Sequence, residues 1–226
     1  SRVLYFRAPF ANGQQAERLL GLIVLAKGME APPPVNDTAF GYLLNGTVFV
    51  GGPRGLFTID DRLHVVDTYN HRILSFAAPG DWPVETVQYS PKAAGVFGQY
   101  DYISGRANRW TTWEPSGNTL HTPSGAVFAA GRVWVADTGN NRVLNLPNLR
   151  VSGMRTWALD VIGQIDFPFR APNLITGREF AAGSLRVATG SNLVDFPVGP
   201  AIAIDRSSDP PRLYVADTGN NRILGF

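Results

Sequence analysis

The chain has 226 residues, 44% hydrophobic and only 17% charged, with 24 Gly, 17 Pro and no Cys. That charge content lies below the roughly 25% usual for globular chains, and the wealth of turn formers points to strands rather than helices. The formal charge is +2 and 18 of the 20 basic residues are Arg, the exceptions being Lys27 and Lys92. Without a basic run there is no electrostatic footprint for nucleic acid; without Cys there is no disulfide, thiolate nucleophile or cysteine-zinc site; and with no apolar run near 18 residues no membrane insertion is expected.

One phrase organises the chain: VVDTYNHRILSF at Val65–Phe76, VADTGNNRVLNL at Val135–Leu146 and VADTGNNRILGF at Val215–Phe226, with its tail also at Ser1–Phe6 as SRVLYF. Its arginines, Arg2, Arg72, Arg142 and Arg222, are spaced by 70, 70 and 80 residues. A repeat of this size implies units that bury their apolar faces against neighbours. We therefore read a single domain over 1–226, with units near 7–76, 77–146 and 147–226, and 1–6 as the last part of a preceding unit.

In chain order, Val3–Phe6 and Leu20–Leu25 read as strands three and four of the incomplete first unit. Glu17–Leu25 has helical propensity, but its place in the repeat argues for strand. Gly55–Ile59, Leu63–Val66, Arg72–Phe76 and Gly95–Phe97, the last beginning as early as Glu85, form the next set. Ser124–Ala129, Arg132–Ala136, Arg142–Leu146 and Thr156–Ile162 form the third, with turns at Ala130–Gly131 and Asp137–Asn141. Ala201–Ile204, Leu213–Ala216 and Arg222–Phe226 complete 13 expected strands. In the turn, Asp137 is expected to accept bonds from the amides that follow, an Asx-type turn. Gly139, Asn140 and Asn141 are expected at positive φ, and Arg142 to reach Asp137 or the next unit. Tyr69 and His71 replace Gly and Asn in the first copy, predicting a less ideal hairpin there.

ADTGNNRV and ADTGNNRI resemble the core of NHL repeats, which build β-propellers of four-stranded blades. VFGQYDYISGRANR at Val96–Arg109 and VIGQIDFPFRAPN at Val161–Asn173 resemble the GQPDF-type element between such blades; the first linking element, LIVLAKG around Leu22–Gly28, departs from it. The resemblance implies an all-β partial propeller of about three blades, completed by another chain or by further sequence. It also implies a bacterial secreted, periplasmic or cell-surface setting and a non-catalytic binding or scaffold role. Partners would be protein or glycan, or a second copy pairing with open edges at Val3–Phe6 and Ile223–Phe226. The alternative is a metal-dependent, lyase-like enzyme of the same propeller type with its site in the central channel. Peptide-amidating lyases of that kind use histidine-ligated metal on a disulfide-bearing scaffold, and this chain offers no matching set of residues.

In an up-and-down meander, the loops entering each first strand share a face with the second-to-third-strand hairpins. The long insertions Met29–Pro53, Gln99–Pro123 and Gln164–Pro200 therefore crowd onto the DTGNNR side, where binding residues on a rigid scaffold usually lie. The middle one carries the candidate ligand residues Tyr100, Tyr102, Arg106, Arg109, Trp110 and Trp113, with His121 nearby. Aromatics beside arginines stack on sugar rings or clasp acidic groups, although such aromatics also commonly pack their own loop. Asp67, Asp137 and Asp217 suggest a carboxylate ring for a cation, but their place five residues before Arg72, Arg142 and Arg222 favours structural Asp–Arg pairs. Asp101 and Asp166 read as turn caps. His64, His71 and His121 sit in unrelated phases, giving no three-histidine metal site. Ser116 and Ser124 lack a nucleophile elbow, Asp60–Asp61 reads as a turn, and Gly51–Gly52 and Gly98 open no phosphate-binding helix. No cofactor is expected.

Overall fold

The computed structural model describes residues 2–21, 34–45, 48–110, 114–149, 156–173, 178–189 and 192–226. The fold is all-β, built of antiparallel blades in a partial β-propeller. A two-stranded sheet of β1 (Val3–Tyr5) and β2 (Arg18–Leu20) is followed by a hairpin, β3 (Leu43–Asn45) and β4 (Val48–Gly51). Two four-stranded meanders come next: β5 (Gly55–Ile59), β6 (Arg62–Asp67), β7 (Arg72–Ser75) and β8 (Gly95–Phe97), then β9 (Gly125–Ala129), β10 (Arg132–Asp137), β11 (Arg142–Pro147) and β12 (Asp160–Ile162). A second hairpin, β13 (Gly183–Thr189) and β14 (Asn192–Val198), precedes the three-stranded sheet of β15 (Ala201–Asp205), β16 (Arg212–Asp217) and β17 (Arg222–Gly225). No helix among the described residues is long and apolar enough to cross a membrane.

The 13 strands expected from the repeat are all present, and the structure adds four, for 17 among the described residues. The added ones are the two hairpins, which sit inside the first and third insertions. β2 spans Arg18–Leu20, where the expected strand ran over Leu20–Leu25; residues 22–25, with the whole Leu22–Gly28 linking element, lie outside the described residues. β8 has the expected bounds, without the earlier start near Glu85, whereas β12 is shorter than expected and begins only at Asp160.

Alternation along each strand sends side chains to opposite faces, and those faces join successive sheets. Leu74 belongs to the same core cluster as Val3 and Leu20 of the preceding sheet, whereas its neighbour Ile73 belongs to that of Leu144 and Val135 of the next. Val143 in turn packs with Leu213, Val215 and Phe180. Each such fully buried aliphatic side chain contributes about 1.5–3 kcal/mol. The outer faces of the first and last sheets leave Leu4 41% and Ile223 74% exposed. The inter-strand turns follow from local chemistry: Asp60 and Asp61, and Ala130 and Gly131, all have positive φ, as two-residue hairpins with the twist of their strands require.

Each fourth strand is followed by a glycine at strongly positive φ: Gly21 at +88, Gly98 at +96 and Gly163 at +85. A Cβ there would lie 2.0 Å from Phe40 Cδ2, 2.9 Å from Leu120 Cδ1 and 2.3 Å from Phe180 Cδ2, respectively. The next loop thus drops a large apolar side chain onto bare backbone. Gly21 belongs to this series although the sequence after it departs from the Gly-Gln pattern of the other two.

Candidate functional site

The second-to-third-strand hairpin of each blade is a single 3-10 turn: Thr68–Asn70, Thr138–Asn140 and Thr218–Asn220. His71, Asn141 and Asn221 close these turns in the left-handed region, at φ 54, 51 and 52. Gly139 and Asn140 are not at positive φ, contrary to expectation. Nor does the preceding aspartate cap the turn through its side chain.

Those carboxylates reach elsewhere. Oδ1 of Asp67, Asp137 and Asp217 accepts the backbone amide of Gly41 at 2.6 Å, His121 at 2.7 Å and Ala181 at 2.8 Å, each in the insertion that returns to the blade. Oδ2 accepts Nε of Arg72, Arg142 and Arg222, at 2.7 Å in all three copies. The same oxygen accepts the side-chain amides of Asn70, Asn140 and Asn220 at 3.0, 2.8 and 2.8 Å. Burial pushes the Asp67 carboxyl upward in pKa, while the Arg72 guanidinium, the Gly41 amide and the Asn70 side chain oppose it. Three donors on two oxygens hold it as a carboxylate.

The guanidiniums then stitch the loops to the hairpins. Arg72 donates to the carbonyls of Asn36, Ala39 and Tyr102, all within 2.9 Å. Arg142 does the same to Ser116, Thr119 and Phe167. One planar fork thereby ties together the loop before its blade and the loop after it, which Lys lacks the geometry to do. Both these arginines are fully buried, whereas the Arg222 side chain is 32% exposed and donates to the Glu179 carbonyl at 3.2 Å. All the structural Asp–Arg pairs expected from spacing are formed.

The third motif position is sterically tight. A Cβ on Gly139 would lie 2.5 Å from His121 Cγ, and one on Gly219 2.8 Å from Ala181 Cβ. In the first copy that position is Tyr69, and the facing loop residue is Gly41, whose own Cβ would lie 2.7 Å from the Asn70 nitrogen. The Tyr69 ring lies over Gly51, where a Cβ would be 2.3 Å from its hydroxyl oxygen, and the first hairpin keeps the geometry of the others instead of being less ideal. His71 is accommodated in the same manner: its Nδ1 accepts the Thr122 amide at 2.9 Å, where Asn141 Oδ1 accepts the Ala182 amide at 2.7 Å.

The linking elements are equally committed. Gln99 Nε2 donates to the carbonyls of Asn70, His71 and Arg106, and Gln164 Nε2 to those of Asn141 and Ala171. Asn108 and Asn140 exchange a reciprocal pair of amide bonds at 3.0 and 2.9 Å, and Asn173 donates to Asn220 at 2.8 Å. Asp101 Oδ1 accepts the amides of Ile103 and Ser104, and Asp166 Oδ1 accepts that of Phe167. Asp101 therefore caps its turn, as expected, whereas the Asp166 side chain reaches only the amide of the next residue.

The candidate ligand residues do not form one cluster. Tyr100 is 54% exposed, with the Arg109 guanidinium 4.5 Å over its ring. Arg109 is itself buried at φ 60; it donates to the carbonyls of Gly98 and Gln99, and burial lowers its pKa. Tyr102 turns the other way, packing against the core beneath the first blade. Arg106 is exposed and lines, with Arg109, Gln99 and Ser104, a cavity of about 390 Å3. Trp113 and the side chain of Trp110 lie outside the described residues.

His71 and His121 do come together, with ring centroids 5.4 Å apart, while His64 stacks on Phe57 elsewhere. Burial lowers the pKa of all three, and His71 falls to about 4 with His121 as the second cause. No group of three metal-ligating side chains occurs among the described residues. Ser124 Oγ donates to the Pro200 carbonyl and accepts from Thr138 Oγ1. No family model matches the chain, and no curated protein matches it.

The residues missed from sequence are Gln99 and Asn108 with their counterparts Gln164 and Asn173. Both pairs are nine residues apart. That equal spacing, set beside the two Asn-bearing hairpins, was the available signal.

Proposed function

We propose that this chain is a binding module of the NHL-repeat propeller type, non-catalytic, whose loop face holds protein or glycan partners, in a bacterial secreted, periplasmic or cell-surface setting. The observation that carries this reading is how the loop face spends its polar groups. Asp67, Asp137, Arg72, Arg142 and Gln99 are each bonded to two or more loop groups or motif side chains, so chemistry-bearing side chains act as rivets for the long loops. Loops fixed in this way present a preformed surface at little ordering cost. On that surface Ile103, 74% exposed, lines the cavity at Arg106, and the exposed Tyr100 stacks on Arg109 of the same lining.

The test is capture of the purified chain on a glycan array and on an immobilised peptide library, comparing wild type with the double variant Tyr100→Ala/Ile103→Asp. Specific capture by the wild type, lost in the double variant at unchanged melting temperature, is expected. Two results would overturn the reading: capture that survives the double substitution, or a transition metal retained stoichiometrically after dialysis and lost in His121→Ala.

A further inference from the structure

β1 carries the fourth copy of the motif's tail, and its arginine is the one left without a carboxylate. Arg72, Arg142 and Arg222 each give Nε to an aspartate at 2.7 Å, and that aspartate ends the strand paired beside them. Arg2 stands at the same point before β1, is exposed, and its side chain forms no hydrogen bond or ion pair among the described residues. β1 pairs with β2 along one edge only, whereas β7, β11 and β17 each have a strand on the edge that β1 leaves open.

The open edge borders a gap of defined shape. A cavity of about 440 Å3 lies between Arg2–Leu4 and the segment Pro53–Leu56 at the entry to β5. Its apolar walls, Leu4 and Leu56, are 41% and 55% exposed, while Leu74, Leu144 and Ala126 in the matching places are buried. An edge that is apolar on its exposed face and cationic at one end is suited to receive an added strand.

The three complete pairs dictate what fits there. In each, aspartate lies opposite arginine, and the residues opposite the next two positions are aliphatic: Val66 and Val65, Ala136 and Val135, Ala216 and Val215. The same register on β1 sets an aspartate against Arg2 and aliphatic residues against Val3 and Leu4. The carboxylate makes a charge-assisted bond to the guanidinium, and the aliphatic residues take Leu4 and Leu56 out of water. A second copy does not offer such a strand, because its own β16 is already held between β15 and β17.

We propose that the open edge of β1 docks an extended segment of a partner protein, antiparallel to β1, which sets two aliphatic residues and then an aspartate opposite Leu4, Val3 and Arg2. This site uses none of the loop-face residues and goes beyond the binding reading given for that face.

The probe is a fluorescein-labelled peptide, RLYVADTGNN, which copies residues 212–221 and is titrated into the whole chain by anisotropy. Saturable binding is expected, weaker by about tenfold or more in Arg2→Gln or when asparagine replaces the peptide's aspartate. Both changes remove one interaction, so their combination is expected to weaken binding no further than either alone. Arg2 is exposed, and the variant is expected to keep the wild-type melting temperature. Absence of saturable binding, unchanged affinity in Arg2→Gln, or losses that multiply on combination overturns the assignment. So does a concentration-dependent dimer of the chain that Arg2→Gln dissolves, since a second copy is then the occupant.

Discussion

Acidification is expected to loosen the junction between the first and second four-stranded sheets, and His71 is the residue that makes it do so. Its Nδ1 accepts the Thr122 amide at 2.9 Å, a bond that an imidazolium cannot make. Burial, then the neighbouring His121, lower its pKa from 6.5 to about 4. Around them, Asp137 raises the pKa of His121 while Arg170 lowers it. Between those two pH values the unfolded chain binds the proton and the folded chain does not, so stability rises with pH across the window and is lost as pH falls from 6.5 towards 4. At 1.36 kcal/mol per pKa unit, the loss has a ceiling of about 3 kcal/mol. For a chain of this size each kcal/mol corresponds to roughly 2–4 °C in Tm.

The matched control is written into the other repeats, where the same position is Asn141 and Asn221. His71→Asn keeps a residue that tolerates left-handed backbone and an acceptor for the Thr122 amide, while removing the titrating group. Urea unfolding of both proteins at steps between pH 7 and pH 4 reads the difference directly, because the carboxylates, His64 and His121 are present in both. The variant is expected to gain on the wild type by up to about 3 kcal/mol as pH falls. A stability difference that stays flat over this range, or one that moves in favour of the wild type, refutes the argument.

Other substitutions test the rivets. Arg142→Lys keeps the charge but loses the fork that serves Asp137 and three carbonyls, and is expected to cost about 3 kcal/mol in urea unfolding. Arg222→Lys, at a side chain 32% exposed, is expected to cost clearly less; equal costs would contradict the burial argument. Gly139→Ala drives a Cβ to 2.5 Å from His121 Cγ and is expected to cost about 1–3 kcal/mol, most of it recovered in the double variant with His121→Gly. Additive costs in that cycle would mean that the two residues do not exchange bulk. Gly163→Ala combines φ of +85 with a contact 2.3 Å from Phe180 and is expected to lower stability by about 2 kcal/mol or more by thermal melting, whereas no loss would remove Phe180 from the role of packing on bare backbone.

The meander was legible because its signals are local. Alternation in RVWVAD, glycine and aspartate at the turns, and the recurrence of one phrase locate 13 strands without any knowledge of what they touch. The two added hairpins escaped notice because they interrupt the repeat instead of belonging to it, and periodicity carries no information about an insertion. The Asp–Arg pairs were legible as pairs, but their purpose was not. Spacing shows that Asp137 can reach Arg142; it does not show that its other oxygen holds the amide of His121, which is 16 residues earlier in the chain. The contact between two of the histidines was hidden on the same ground: His71 and His121 differ in phase along the strand pattern, yet the hairpin of one blade docks on the loop entering the next and brings their rings together.

The close approach at Gly41 sets the limit most clearly. Taken alone, Tyr69 looks like damage to a glycine turn, and Gly41 looks like one more loop glycine. The turn accepts Tyr69 because its ring lies over Gly51, where a Cβ would fall 2.3 Å from the hydroxyl oxygen. Gly41 answers to a different contact, since its Cβ would lie 2.7 Å from the Asn70 nitrogen; in the other copies the turn glycine is the one that meets the insertion, Gly139 against His121 and Gly219 against Ala181. The Asp67 carboxylate, which binds the Gly41 amide on one oxygen and Arg72 on the other, sets that approach in the first copy just as Asp137 does in the second. The motif therefore specifies how closely two loops approach, and which of the two carries the glycine differs between copies.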